Sequence, residues 1–174
     1  MSIRGEKRRE RQRLEAEQLL KPLVDHMLHI NRVVQCGLGD WPDGPVLQQN
    51  YPHANFMAVE PVRRYCWAAW KAGFRGPIIQ GALWHTSGNV VTLQDFKSRT
   101  SMLDPEPNRF GSFETVTVTL DDAIRYVGMP AGLMLLWMDC EGVELEVLKG
   151  AKRTLMDSVL AIVCELKDEP KMPN

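Results

Sequence analysis

Apolar and polar positions change their period along this chain, and each change marks a different kind of element. From about Gly5 to Leu20, Arg, Glu, Gln and Leu predominate, all good helix formers, and Leu20, Leu23, Val24, Met27 and Leu28 give an apolar stripe at helical spacing. Pro22 starts a new turn there or kinks the helix. Short apolar runs separated by helical stretches follow, the alternation of strand and helix that builds a mostly parallel sheet. Five runs read as buried strands: Arg32 to Cys36, Asn55 to Glu60, Pro77 to Ala82, Leu133 to Asp139 and Val159 to Leu166. Between the first two, Gly44-Pro45-Val46-Leu47 predicts a short helix stopped before Pro52. Pro61 to Gly73 reads as a helix with Pro in its first turn and Gly past its end.

Two further runs, Asn89 to Leu93 and Thr115 to Thr119, alternate apolar and polar residues and predict a hairpin with a long irregular loop, Gln94 to Ser112. Asp121-Asp122 starts a short helix that ends near Gly128 and Pro130. Gly142 to Met156 predicts one amphipathic helix with Val143, Val147, Leu148, Ala151 and Leu155 inward. The expected class is α/β: a helical extension over residues 1–30, then a single domain over 31–174 whose sheet has about five core strands plus a hairpin.

Composition narrows this picture. A length of 174 residues suits one domain, and 44% hydrophobic with 25% charged residues is the balance of a soluble globular chain. A formal charge of -1 implies no general attraction to nucleic acid or anionic membrane, so a charged partner must be read from a local patch. The basic run Lys7-Arg8-Arg9, with Arg11 and Arg13, alternates with Glu6, Glu10, Glu15 and Glu17, which favours a solvated helix face over a nucleic-acid patch. Cys36, Cys66, Cys140 and Cys164 are too far apart for a zinc site or a disulfide scaffold and read as reduced thiols. No segment is apolar for long enough to be a secretion signal or a membrane helix, and the expectation is a cytoplasmic protein.

Ligands of open parallel sheets sit beyond the carboxyl ends of the strands, so the residues that close each strand carry the candidate chemistry. The first strand runs into Cys36-Gly37-Leu38-Gly39-Asp40, where glycines allow close backbone approach to a ligand or simply a tight turn. The second ends at Val59-Glu60-Pro61. A carboxylate there can accept both hydroxyls of a ribose, or cap the helix that follows. The interval from Gly37 to Glu60 matches the roughly 20 residues between glycine loop and ribose acid in dinucleotide folds. The loop lacks the full GxGxxG pattern, which points to a nucleoside without pyrophosphate. Gly81-Ala82-Leu83-Trp84 offers an apolar wall for an adenine, with Trp84 either in that wall or in the core. Asp139, Glu141 and Glu144 crowd one strand-to-helix turn. Their mutual repulsion requires protonation, a cation, or hydrogen bonds from backbone donors.

The run Asp139-Cys140-Glu141-Gly142-Val143-Glu144-Leu145-Glu146-Val147-Leu148-Lys149-Gly150-Ala151, with Leu155 and Ile162-Val163-Cys164-Glu165-Leu166 after it, resembles the signature of the FkbM methyltransferases. Val118 to Asp122, Ala82-Leu83 with Gly88 and Val90, and Val59-Glu60-Pro61 resemble further segments of that family, so the likeness spans roughly Arg32 to Leu166. It implies a Rossmann-like class I fold and O-methylation of a hydroxyl on a sugar or other small molecule, with S-adenosylmethionine as cofactor. Cys36, Gly37, Gly39, Glu60, Pro61, Ala82, Leu83 and Asp139 would then hold the cofactor. Asp139, with Glu141 and Glu165 as alternates, would position the acceptor or take its proton, and Glu144 and Ser101 would contact it. A Mg²⁺ ion on these carboxylates stays open, although no metal site is assigned.

Two departures from the family stand out. Gln35 occupies a position usually acidic, and Asp40-Trp41-Pro42-Asp43-Gly44 replaces the later glycine of the loop; the sheet is also expected to be cut short at its C-terminal edge. Three functions follow: an active O-methyltransferase, a degenerate binding or assembly module, or a nucleic-acid-directed enzyme using its basic N-terminal helix. The expected partner is a small-molecule or glycan acceptor; a membrane is excluded, nucleic acid is disfavoured, and a homo-oligomer stays open.

Overall fold

The computed structural model describes residues 3–25, 29–96, 99–101 and 112–164. Its elements run α1 (Ile3–Asp25), β1 (Arg32–Cys36), α2 (Gly44–Asn50), β2 (Asn55–Glu60), α3 (Arg63–Lys71), β3 (Ile78–Gln80) and β4 (Ala82–Leu83). They continue with β5 (Val90–Phe96), β6 (Arg99–Ser101), β7 (Ser112–Val118), α4 (Leu120–Val127), β8 (Met134–Met138), α5 (Glu144–Lys149), α6 (Lys152–Asp157) and β9 (Val159–Cys164). One sheet has the order β3-β2-β1-β8-β9 with every pairing parallel, the α/β, Rossmann-like arrangement expected from the alternating pattern.

All five residues of β1 and of β8 are buried, because helices cover both faces of the sheet. Alternate side chains feed two cores. Val33, Phe56, Ala58, Leu135 and Trp137 pack with Leu20 of α1, Leu47 of α2 and Ala69 of α3. Val34, Met57, Val59, Leu136 and Met138 pack on the other side with Leu120 and Ala123 of α4 and Val147 of α5. The carboxyl ends of β1, β2 and β8 therefore finish side by side at one edge of a rigid slab.

Four expectations change. The run from Pro77 to Ala82 is two strands: β3 pairs with β2, and β4 pairs with β7 in a second sheet of order β4-β7-β5-β6. The chain changes sheets at Gly81, where an added Cβ would lie 3.1 Å from the Val116 carbonyl oxygen. The irregular loop from Gln94 is shorter than expected, since β5 continues to Phe96 and β6 pairs back on it. Helix α1 passes through Pro22 without ending, and its inward stripe is Ala16, Leu20 and Leu23, while Val24 is exposed.

The fourth change has a clear cause. The predicted single helix from Gly142 to Met156 breaks into α5 and α6 because Asp121, at the start of α4, supplies the second helix with its own cap. The Asp121 carboxylate accepts from the amides of Arg153 (3.0 Å) and Thr154 (2.8 Å) and from the Thr154 hydroxyl (2.7 Å), while the Asp121 amide donates to the Gly150 carbonyl at 3.2 Å. These bonds satisfy amides that a continuous helix would have used internally. Asp121→Ala is expected to lower stability by about 1–2 kcal/mol, read as a lower midpoint in urea at unchanged slope; a variant as stable as the parent would show that the cap carries no weight.

Candidate active site

The site lies where β1, β2 and β8 end. Beyond Cys36 the chain turns through Gly37 and Gly39, with φ of 84° and 48°. A Cβ on Gly37 would come within 2.1 Å of the Asp139 carbonyl oxygen, so only glycine lets the β1 loop pass the end of β8. The loop is then fastened from β2. Glu60, 4% exposed, accepts from the amides of Leu38 (2.8 Å) and Gly39 (3.2 Å) on one carboxylate oxygen and of Val62 (2.8 Å) on the other. Burial pushes this carboxyl above the usual carboxylate range, against the pull of the three amides and of Arg64. Glu60 thus caps α3 at Val62 and also faces the cavity. A carboxylate has about four acceptor positions, and three are in use here.

The following loop is pinned by two tryptophans. Trp41 sits at φ 53°, a left-handed conformation rare for a bulky residue, and its indole Nε1 donates to Gln35 Oε1 at 3.0 Å. Trp137 Nε1 donates to Asp43 Oδ2 at 2.9 Å. The amide at position 35 therefore holds a buried indole of its own loop.

At the end of β8 the three carboxylates separate in role. Glu144 is buried and turns back on its own bend, accepting from the amides of Cys140 and Gly142 at 3.1 Å each, so it ties the turn in which Glu141 takes φ 56°. It does not line the cavity, and the acceptor contact expected of it gives way to this structural one. Asp139 and Glu141 do line the cavity. Cys140 lies between them. The Cys36 thiol, burial and the charges of Glu144 and Asp139 hold its own thiol well above the ordinary value, so it is a neutral group and no nucleophile.

Together these elements enclose a cavity of about 310 Å³, the size of a small-ligand site. Of the residues expected there, Gly37, Gly39, Glu60, Pro61, Ala82, Leu83, Asp139 and Glu141 line it. Cys36 does not. It is fully buried beneath the loop, where its carbonyl accepts from the Asp139 amide at 2.9 Å. Trp84 packs beside His85, with ring centroids 5.1 Å apart, and belongs with the second core. Ser101 pairs with Gln94 through its backbone, and its side chain, like Glu165, lies outside the described residues. Among the described residues no group of three His, Cys, Asp or Glu could hold a metal ion, and no helix is long and apolar enough to cross a membrane.

Residues 58–172, more than half of the chain, match the Methyltransferase FkbM domain. The chain belongs to the FkbM methyltransferase family. No curated protein and no solved structure matches it. The FkbM match begins inside β2 and takes in Glu60, Ala82, Asp139 and Glu141, whereas the glycine loop precedes it.

The helical extension also reaches this FkbM site. Arg8 and Gln12 line the cavity from α1, and Arg9 stands 3.9 Å from Asp40. The basic run is exposed, as its interleaved charges predict, yet Arg8, Gln12, Ala16 and Leu20 recur every fourth residue, so one edge of that exposed face borders the cavity. Gly37→Ala is expected to destabilise by several kcal/mol, because clash adds to the roughly 1 kcal/mol cost of a left-handed residue, whereas Gly39→Ala, with open space around its Cβ, loses only the latter. Equal losses in thermal unfolding would contradict the close approach at Asp139.

Proposed function

We propose that this FkbM protein is an S-adenosylmethionine-dependent O-methyltransferase acting on a hydroxyl of a sugar or other small molecule. The observation that carries the reading is the convergence of Glu60, the Gly37–Gly39 loop and Asp139 on one cavity. The lining suits that cofactor part by part. Glu60 keeps one acceptor position for a ribose hydroxyl, Ala82 and Leu83 offer an apolar wall for the adenine, and Arg8 supplies a cation for the α-carboxylate. S-adenosylmethionine, when bound, supplies an electrophilic methyl group. Asp139 then positions the acceptor hydroxyl and takes its proton; its backbone is fixed by the bond to Cys36, which limits the freedom of that carboxylate.

Calorimetry with S-adenosylhomocysteine tests this. Binding is expected, and no heat at millimolar ligand would sink the enzyme reading in favour of a degenerate binding module. That second reading has its own support in the three amides already seated on Glu60. Glu60→Gln is expected to weaken the ligand by about tenfold or more, since the variant loses a charge-assisted hydrogen bond and sets its NH2 against one of the backbone amides that the carboxylate accepts; an unchanged affinity would remove the ribose assignment. Arg8→Ala should weaken S-adenosylhomocysteine but not methylthioadenosine, which lacks the amino-acid end. Asp139→Asn is expected to keep the ligand affinity and to lower turnover on an acceptor found by screening hydroxylated compounds by about 10²–10³.

A further inference from the structure

The outer face of α3 carries a surface that the methyltransferase reading does not use. Tyr65 and Ala69 turn inward, which leaves Arg63, Trp67, Trp70 and Lys71 on the opposite side of the helix. Both indoles are exposed, Trp67 at 58% and Trp70 at 64%, although tryptophan is mostly buried in folded chains. They stand three residues apart, hence on neighbouring positions of one helix face. The Lys71 ammonium lies 3.6 Å from the centroid of the Trp67 ring, so a cation already covers one side of that indole.

The charge around this face is one-sided. From Gly44 to Gln94 the only acidic residue is Glu60, which is buried, while Arg63, Arg64, Lys71 and Arg75 all fall in the same span. Within a chain of formal charge -1, this span is locally cationic, and Arg63 and Lys71 are the cations that flank the two indoles. The two indoles, with Arg63, Arg64 and Ile78, line an open depression on this face, and exposed indoles flanked by cations match the boundary of an anionic bilayer, where tryptophan sits at headgroup depth and Lys and Arg meet phosphates. Single-stranded nucleic acid fits less well, since its bases stack on free aromatic faces and Lys71 already occupies one face of Trp67.

We infer that the outer face of α3 docks the protein reversibly onto an anionic phospholipid surface through Trp67 and Trp70, steered by Arg63 and Lys71. The net charge argues against a general attraction to membranes, and this contact is instead local, resting on the exposed Arg63 and Lys71 beside the two indoles. The contact is superficial, adds to methyl transfer without depending on it, and weakens with salt.

The test is flotation of the full chain with vesicles of phosphatidylcholine alone or mixed with phosphatidylglycerol, followed by tryptophan emission. Binding only to the mixed vesicles is expected, with a blue shift, and Arg63→Gln and Lys71→Gln should each weaken it about fivefold, the equivalent of about 1 kcal/mol per cation. Trp67→Ala with Trp70→Ala should abolish both binding and shift while the circular dichroism spectrum stays that of the parent. Binding that ignores phosphatidylglycerol, or survives the double tryptophan change, overturns the proposal. So does an oligonucleotide that binds the parent but not the double variant and displaces it from vesicles, which would assign the face to nucleic acid. Because none of these residues lines the cavity, S-adenosylhomocysteine calorimetry on the same variants keeps this outcome separate from the fate of the enzyme reading.

Discussion

A single buried carboxylate organises the cavity edge of this fold. Glu60 leaves water at the end of β2, and its charge is compensated by amides from a loop that belongs to β1 and from the first turn of α3. That compensation brings Gly37 and Gly39 against the sheet, and the position of Gly37 in turn sets how closely the ends of β1 and β8 can approach. The neighbouring parts are fixed by contacts of their own. Asp139 is held to Cys36 through its amide, Glu141 is turned toward the cavity by a bend that Glu144 ties, and Trp41 closes the loop onto Gln35.

The proposed ribose role would give Glu60 two duties that compete for one group. An acid that binds ribose must offer lone pairs, and an acid that fastens a loop must use them. With one position left, a ribose placed there as proposed would share the carboxylate with the loop and make the loop the part of the site most sensitive to what occupies the cavity.

Much of this was legible in the sequence, for physical reasons that also explain the failures. Strands buried on both faces carry unbroken apolar runs, so β1, β2 and β8 were visible, and the strand-end rule led to Gly37, Glu60 and Asp139. What escaped depends on distant partners. The break between α5 and α6 comes from Asp121, some thirty residues away, and no local periodicity signals it. Crowding predicted that backbone donors could relieve the three acids, but not that Glu144 would be the one taken. Arg8 was hidden by its neighbours, since alternating charge describes a solvated helix until the burial of Ala16 and Leu20 shows which face turns inward.

The change of sheets at Gly81 has a consequence for how such a protein can diverge. Ala82, Leu83 and Leu93 reach the cavity from the second sheet, whereas the amides on Glu60 come from the loop after β1 and the start of α3. Ala82 and Leu83 pair with β7, while the Gly81 amide just before them donates to the Glu60 carbonyl at 3.3 Å, so the wall strand meets Glu60 through its backbone and not through the carboxylate that holds the loop. Drift along β5 and β7 can therefore remodel one wall of the cavity over generations while the hold on Glu60 is inherited unchanged.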